Sequence, residues 1–322
     1  MLEISCALPP TPATPDLVRY AEDLGYRRAW IYDTPPLQLD VWMTLALAAD
    51  RTERIGIGPG VLVPSNRHAL TTATAIAHLE SLAAGRTAYA FGTGFTARHA
   101  LGQRPLKWTD VAEHVRTVRA LLRGETVEID GAMVAMLHGT GQAPPRPLEP
   151  PFLIGASGPK GEAVARELGG GVIGSSPIAG FDWSVWLAFG TVLDDGEDTG
   201  DERVLRSAGP GAAIAYHSTY QRRRASFDSL PGSAMWRESI EAVDPSVRHL
   251  ETHRGHLTEL NRHDRTVMTG SIAAEVSRSG TAAHWRERLA AAAEAGTTEV
   301  AFQPAGDDLR RELTKFIEAA RS

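Results

Sequence analysis

Gly92-Thr93-Gly94-Phe95-Thr96-Ala97 has the G-x-G-x-x-A spacing that turns a chain tightly and lets its backbone approach a pyrophosphate. Two more apolar runs break at glycines: Ile55-Gly56-Ile57-Gly58-Pro59-Gly60-Val61 and Phe152-Leu153-Ile154-Gly155-Ala156-Ser157-Gly158-Pro159-Lys160. Glycine has no Cβ, so backbone comes close to a ligand and its N–H groups point at it. Three such ends in one chain suggest one shared rim that holds a large, flat, phosphorylated cofactor.

Each motif has a plainer alternative. A dinucleotide fingerprint opens the first βα unit of its domain, whereas this Gly-x-Gly follows the fourth strand, so backbone approach at a barrel rim and a simple tight turn compete with it. Ser157 is a candidate cap, and Gly158, Lys160 and the helix dipole offer an anion a cradle; the alternative is an ordinary glycine-rich helix start. Gly58-Pro59-Gly60-Val61 reads as a bulge or as a loose edge strand.

Asp33 ends a strand, as a functional acid or a cap. His249, His253 and His256 fall on one face of an expected helix, and a pocket-lining or solvated stripe is preferred there over a metal site. Cys6 reads as a small core residue. Lysine occurs only at Lys107, Lys160 and Lys315, which argues against a Schiff-base aldolase.

The elements that position these residues alternate strand and helix. Strands are expected over Leu2–Leu8, Arg28–Tyr32, Ile55–Val63, Thr87–Phe91, Phe152–Ala156, Gly171–Gly174, Trp186–Leu193 and Glu299–Phe302. Helices are expected over Thr14–Leu24, Val41–Ala49, Ala69–Ala84, 111–122, Gly161–Leu168 and Ala282–Ala295, and through Leu309, Leu313, Phe316 and Ile317. An Asp130-Gly131 turn suggests a small hairpin, Thr126–Ile129 with Met133–Leu137. Eight strands alternating with helices imply an α/β fold, a TIM (β/α)8 barrel, rather than an open doubly wound sheet. A long helical insertion, about residues 194–280, is expected between strands seven and eight of a single domain over residues 1–322, with Ser246–Arg262 one of its helices.

Composition narrows the partners. Of 322 residues, 43% are apolar and 22% charged, an ordinary globular balance. The net charge of −6 carries no footprint for nucleic acid. No apolar run is long enough for a membrane span, and no basic segment ahead of an apolar one marks a secretory leader. One cysteine allows no internal disulfide, and a cytoplasmic location is expected.

The chain resembles the luciferase-like monooxygenase superfamily, barrels that bind reduced flavin or deazaflavin. The resemblance rests on Ala29-Trp30-Ile31-Tyr32-Asp33, Thr52-Glu53-Arg54-Ile55-Gly56-Ile57-Gly58, Pro64-Ser65-Asn66-Arg67-His68, Leu82-Ala83-Ala84-Gly85-Arg86, Gly92–Gly94, Gly155–Lys160 and Gly190-Thr191-Val192-Leu193. Within it the chain looks most like deazaflavin-dependent methylenetetrahydromethanopterin reductases, whose third strand has a similar Ile57–Val61 signature followed by Pro64, Arg67 and His68.

The resemblance implies a coenzyme F420-dependent oxidoreductase that moves hydride to or from a small organic substrate. The alternatives are an FMN-dependent monooxygenase using O2 and a non-catalytic flavin-binding protein. It implies a non-prolyl cis peptide at Gly60–Val61 and places Asp33, Gly60, Val61, Thr93 and Gly94 beside the cofactor ring. Gly155, Ala156, Ser157, Gly158, Pro159 and Lys160 would lie near its phosphate, and Ser175 is a further expected cofactor-binding residue. Thr34, Phe95, His253 and His256 are the expected substrate-pocket residues. Thr34 stands where relatives often carry His, and Phe95 where the reductases carry an acid. Relatives commonly pair, so a homodimer is expected.

Overall fold

A computed structural model describes residues 2–321 of the chain. Its barrel strands are β1 (Glu3–Leu8), β2 (Arg28–Ile31), β3 (Gly56–Pro59), β4 (Tyr89–Phe91), β5 (Phe152–Gly155), β6 (Gly171–Gly174), β7 (Ser184–Phe189) and β8 (Glu299–Gln303). They run in the order β3-β2-β1-β8-β7-β6-β5-β4, and every pairing is parallel. Two isolated bridges, Ile57 with Thr87 and Leu62 with Phe91, join the outer strands and close the ring. The (β/α)8 barrel expected from the alternation is the observed fold.

The strands are short, apolar and buried on both faces, as parallel strands covered by helices must be. Ala7, Trp30, Tyr32, Ala90, Leu153 and Ile173 fill the barrel, while Cys6, Leu8 and Ile31 face the helices. Helix Thr14–Leu24 begins with a proline in its first turn, stops at Gly25 in the left-handed region, and buries Leu17, Val18 and Ala21. The last helix, Leu309–Arg321, buries Leu313, Phe316 and Ile317, with the Phe316 ring stacked on Phe302 at 4.0 Å. The small hairpin pairs Val127–Ile129 with Ala132–Val134 around Asp130 and Gly131, both at positive φ.

Several expected elements differ, among them the hairpin's second strand, which runs Ala132–Val134 instead of Met133–Leu137. Strand three stops at Pro59; the Gly60 N–H still reaches the Ile31 carbonyl of β2 at 2.8 Å, and the expected cis peptide follows at Gly60–Val61. Strand seven stops at Phe189: Gly190, at φ 129°, bends the chain, and Val192–Leu193 pairs separately with Gly280–Thr281. The helix expected over Ser246–Arg262 is only Arg248–His253. Gly255 takes φ 69°, and a Cβ there would lie 2.3 Å from Glu259 Cγ, so a tight turn replaces the rest.

The segment between β7 and β8 folds into helices Glu202–Gln221, Ser233–Glu241, Arg248–His253 and Gly270–Ser277. They surround a core of their own, including Val204, Tyr216, Phe227, Trp236 and Ile240. Helix Glu202–Gln221 keeps Pro210 in its interior. The glycines beside the proline let Leu260 and Phe189 pack within 2.9 Å of where a Cβ would stand.

Glu22 fixes the approach to β3. Its carboxylate, in a residue only 4% exposed, accepts the N–H groups of Glu53, Arg54 and Ile55 at 2.6–3.3 Å. Burial works to raise its pKa, but those three donors and the Arg54 charge outweigh it and hold the group below the usual carboxylate value. A depressed folded pKa contributes stability above the unfolded value of about 4.3 and loses it as pH falls through the folded value. Glu22→Gln is therefore expected to cost about 1–3 kcal/mol at pH 7 and progressively less under acid, read by urea unfolding. An equal penalty at neutral and acid pH would refute the assignment.

Candidate active site at the barrel mouth

The three glycine-broken ends do converge. Val61 is the point where they meet: a Cβ on Gly92 would lie 2.8 Å from Val61 Cγ2, and one on Gly155 would lie 3.1 Å from Val61 Cγ1. Gly58 is more constrained still, since its Cβ would fall 1.8 Å from the Ala88 carbonyl oxygen. These glycines therefore make room first for neighbouring chain. Gly94, at φ 74°, starts the short helix Phe95–His99, an element the sequence pattern did not announce.

Beside Val61 lies a cleft of about 180 Å³, lined by Asp33, Thr34, Gly60, Val61, Gly94 and Phe95 from the barrel and by His256 and Leu257 from the insertion. Thr93 stands next to it in β4's outgoing turn without lining it. His253 does not line it either. It is fully buried and packs against His256, with ring centroids 5.3 Å apart. Leu257, at φ 69°, packs with Val61 and Leu187 on the residues that fill the barrel, so the insertion partly plugs the mouth. Concavities of about 630 and 730 Å³ lie at the opposite end, around Arg28, Pro150, Pro151 and Trp183. Barrel chemistry belongs to the C-terminal strand ends, so the smaller cleft is the candidate site.

Asp33 is a brace rather than a free acid. Arg67 donates to both of its oxygens at 2.8 and 2.9 Å, and Asn66 Nδ2 and the Val63 N–H also point at it. Arg67 reaches on to Asp40 at 2.8 Å, and Asp40 accepts the Trp42 and Met43 N–H groups at the start of helix Val41–Arg51. One guanidinium thus ties the end of β2, the turn after β3 and a helix start together. Asp40 is held below the usual carboxylate range: burial opposes this, but the Met43 N–H and Arg67 prevail.

Phe95 forms a wall. Its ring meets His99 edge-on at 4.5 Å, and the Arg222 guanidinium lies 4.5 Å from its centroid. Farther round the rim, Ala156 is buried, while Ser157, Pro159, Lys160 and Ser175 are exposed. Helix Pro159–Glu167 starts after Gly158, at φ 154°, with no side-chain cap. Ser157 is thus not the expected cap, and the first amides of the helix stay unclaimed by side chains.

His256 and His253 come together, but not with His249. The helix ends at His253, and His249 packs outside against Gly102. The partner is His217, whose Nδ1 is 3.1 Å from His256 Nδ1. Burial, and secondarily the neighbouring His217, push His256 down to about 3, and burial with the surrounding imidazoles drives His253 lower still. Both rings are neutral at physiological pH. His217, Asp264, Gln221 and Leu257 were missed in the sequence because residues 217 and 264 come from different elements, and no spacing rule links them. Arg67 stood inside a quoted motif, with nothing to say which acid it meets.

The fold and the rim define a (β/α)8 barrel with a candidate cleft at the C-terminal strand ends. The chain matches the luciferase-like monooxygenase family over residues 7–299, and it belongs to that family. It is 33% identical over 159 residues to 5,10-methylenetetrahydromethanopterin reductase of Methanolobus tindarius, covering 48% of this chain and 47% of that protein. An F420-dependent hydroxymycolic acid dehydrogenase of Mycobacterium tuberculosis is 28% identical over 250 residues, covering 70% of this chain and 62% of that one. The chain thus spans about half the length of the first of these curated relatives and under two thirds of the second. Among solved structures, an F420-dependent secondary alcohol dehydrogenase in complex with an F420-acetone adduct superposes with a TM-score of 0.68 at 15% identity, over 100% of this chain and 99% of that one. The coenzyme F420-dependent tetrahydromethanopterin reductase of Methanopyrus kandleri gives 0.66 at 18%, over 99% and 98%. At these identities the solved structures speak for the fold alone.

The brace yields a paired expectation. Asp33→Ala strands a half-buried guanidinium and is expected to cost about 3 kcal/mol, the low end for a broken buried pair because Arg67 keeps Asp40. Asp40→Asn keeps the cap and loses only an exposed charge, for under about 1 kcal/mol. Chemical denaturation of both variants checks the order.

Proposed function

We propose that this protein is a coenzyme F420-dependent oxidoreductase that exchanges hydride with a small organic substrate. The observation that carries the reading is the seating of Val61 between Gly92 and Gly155, which sets a firm apolar ledge at the meeting of three strand ends. The curated relative named for F420, the hydroxymycolic acid dehydrogenase, lends it support.

The residues present fit such a group at both ends. Val61 and the Gly60 backbone offer a flat support for a ring, with Asp33, Thr34 and Gly94 around it. The uncapped start of helix Pro159–Glu167, together with Lys160, suits an anionic tail, and Ser175 stands exposed on the same rim. The cleft itself is smaller than the roughly 300–1,000 Å³ of ligand pockets, because Leu257 fills part of it. Admission of a tricyclic ring requires the turn over residues 255–257 to move outward.

When bound, the cofactor supplies hydride chemistry. The chain's own part is placement and exclusion of water. The Asp33–Arg67 brace holds the rim, Phe95 and Leu257 close it, and Thr34, Thr96, Gln38, Gln303 and His256 supply polar groups to the lining. Leu37, Phe95, Leu187 and Leu257 give part of the wall an apolar surface, which suits the apolar part of a substrate. The homodimer reading is retained: Met43 and Leu47, one turn apart on helix Val41–Arg51, are both exposed.

Titration of the purified protein with F420 and separately with FMN, followed by fluorescence, tests the reading. F420 is expected to bind the more tightly. Gly92→Ala, which displaces Val61, is expected to weaken F420 binding about tenfold, or about 1.4 kcal/mol. Tight FMN binding without F420 binding would favour an oxygen-using monooxygenase, and F420 binding without hydride exchange with any substrate would favour a binding protein.

A further inference from the structure

Behind the cleft, three imidazoles from separate pieces of the insertion meet. His217 comes from helix Glu202–Gln221, His253 from the end of helix Arg248–His253, and His256 from the turn that follows. They are 1%, 0% and 4% exposed. One ligand atom from each lies within 4.8 Å of the others. The 3.1 Å between His217 Nδ1 and His256 Nδ1 is close to the separation of about 3.3 Å between two nitrogens bound at 2.0–2.1 Å in a tetrahedral shell.

The outer nitrogens are each engaged. His217 Nε2 lies 2.9 Å from Asp264 Oδ1, and that carboxylate also accepts the Trp236 indole N–H at 2.9 Å. A carboxylate only accepts, so His217 Nε2 carries the proton and Nδ1 presents a lone pair. His256 Nε2 lies 3.3 Å from the Thr96 hydroxyl. His253 Nε2 lies 2.5 Å from the Gln221 amide nitrogen, while Gln221 Oε1 and His253 Nδ1, both buried, have no partner. Turning that amide over lets Oε1 accept from His253 Nε2–H, which leaves His253 Nδ1 as a second lone pair. With His256 Nε2–H donating to Thr96, the third Nδ1 is a lone pair as well.

Three ring nitrogens without protons then converge, each ring oriented by an outer acceptor, as in histidine metal sites. A simple hydrogen bond between His217 and His256 explains their contact but leaves His253 Nδ1 orphaned in a fully buried position. We infer that His217, His253 and His256 bind one divalent transition cation of the zinc type, with Asp264, Gln221 and Thr96 as positioning residues. Three imidazoles and no carboxylate ligand select such a cation over calcium or magnesium. The ion would join helix Glu202–Gln221 to the turn that carries Leu257, and so hold the plug of the cleft.

The test uses the full chain, stripped with a chelator and desalted. Calorimetric titration with Zn2+ is expected to give one site per chain. Co2+ is expected to give the intense visible bands of a four-coordinate ion, lost on adding Zn2+. His253→Gln and His256→Gln are expected to weaken Zn2+ binding at least a hundredfold, Asp264→Asn ten- to a hundredfold, and His249→Gln not at all. Since the buried substitutions can compromise folding, 15N spectra of the wild-type imidazoles provide a second readout: Zn2+ is expected to shift three Nδ1 signals and leave three Nε2 protonated. Absence of stoichiometric binding, weak octahedral Co2+ bands, or Zn2+ binding unchanged in folded His253→Gln would overturn the site and leave a metal-free imidazole chain. Because these readouts need no F420, they succeed or fail independently of the proposed reaction.

Discussion

Strand ends β3, β4 and β5 can meet around Val61 only because residues 92 and 155 have no side chain. The closing seam of the barrel depends on the same economy of space. β3 and β4 share no continuous ladder. They are joined by the Leu62 N–H to the Ala90 carbonyl at 2.7 Å, the Gly92 N–H to the Leu62 carbonyl at 2.9 Å, and a bridge at Ile57. Gly58 passes so near Ala88 that any Cβ would collide with backbone. A collision with backbone cannot be relieved by a rotamer change, so close packing here constrains chain path rather than side-chain choice. Val61 is left as a firm surface at the centre of the mouth, and the Asp33–Arg67–Asp40 chain of charges fixes the wall beside it.

The insertion is anchored at its base by a second set of polar contacts. Val192–Leu193 and Gly280–Thr281 form a short parallel pair where the chain leaves and returns. Glu312 from the last helix accepts from Thr191 at 2.6 Å, Arg203 at 3.0 Å and Arg311 at 2.7 Å, and Trp285 donates to the Thr191 carbonyl at 3.0 Å. Burial pushes the Glu312 pKa up against these donors, which is the cost of placing a carboxylate at the joint. A base fixed in this way leaves the tip, residues 253–257, as the part that enters the barrel mouth. Its entry is made by two left-handed residues in close succession, Gly255 and Leu257. Leucine in that conformation is unusual and is held by burial against the barrel filling.

Local patterns made the barrel legible. Each strand is an apolar run bounded by a helix signal, and the Pro15 start, the Gly25 and Gly124 stops and the Asp130-Gly131 turn each occur where chain chemistry demands them. What stayed hidden is of two kinds. Helix Glu202–Gln221 carries Gly-Pro-Gly in its interior and is stabilised by tertiary packing on Leu260 and Phe189, against its local propensity. The site behind the cleft is non-local: His217 meets His256 across 39 residues and Asp264 across 47, distances over which periodicity carries no information. The rim residues Asp33, Gly60, Val61 and Gly94 were readable because each sits at a strand end, the one place where sequence position and spatial position coincide in a barrel.

The charge distribution at the mouth limits what chemistry the chain itself can perform. Asp33 has both oxygens engaged by Arg67, and position 95 carries an aromatic ring in place of an acid, with the Arg222 guanidinium over its face. His256 is neutral, and its cleft-side nitrogen faces the Thr96 hydroxyl. The residues that line the cleft therefore bring hydroxyls, the Gln38 and Gln303 amides, the braced Asp33 carboxylate and apolar surface, together with one uncharged imidazole. Such a lining is suited to orienting a bound group and excluding water rather than to proton transfer by a free acid. Thr96 is where the cleft and the buried histidines touch.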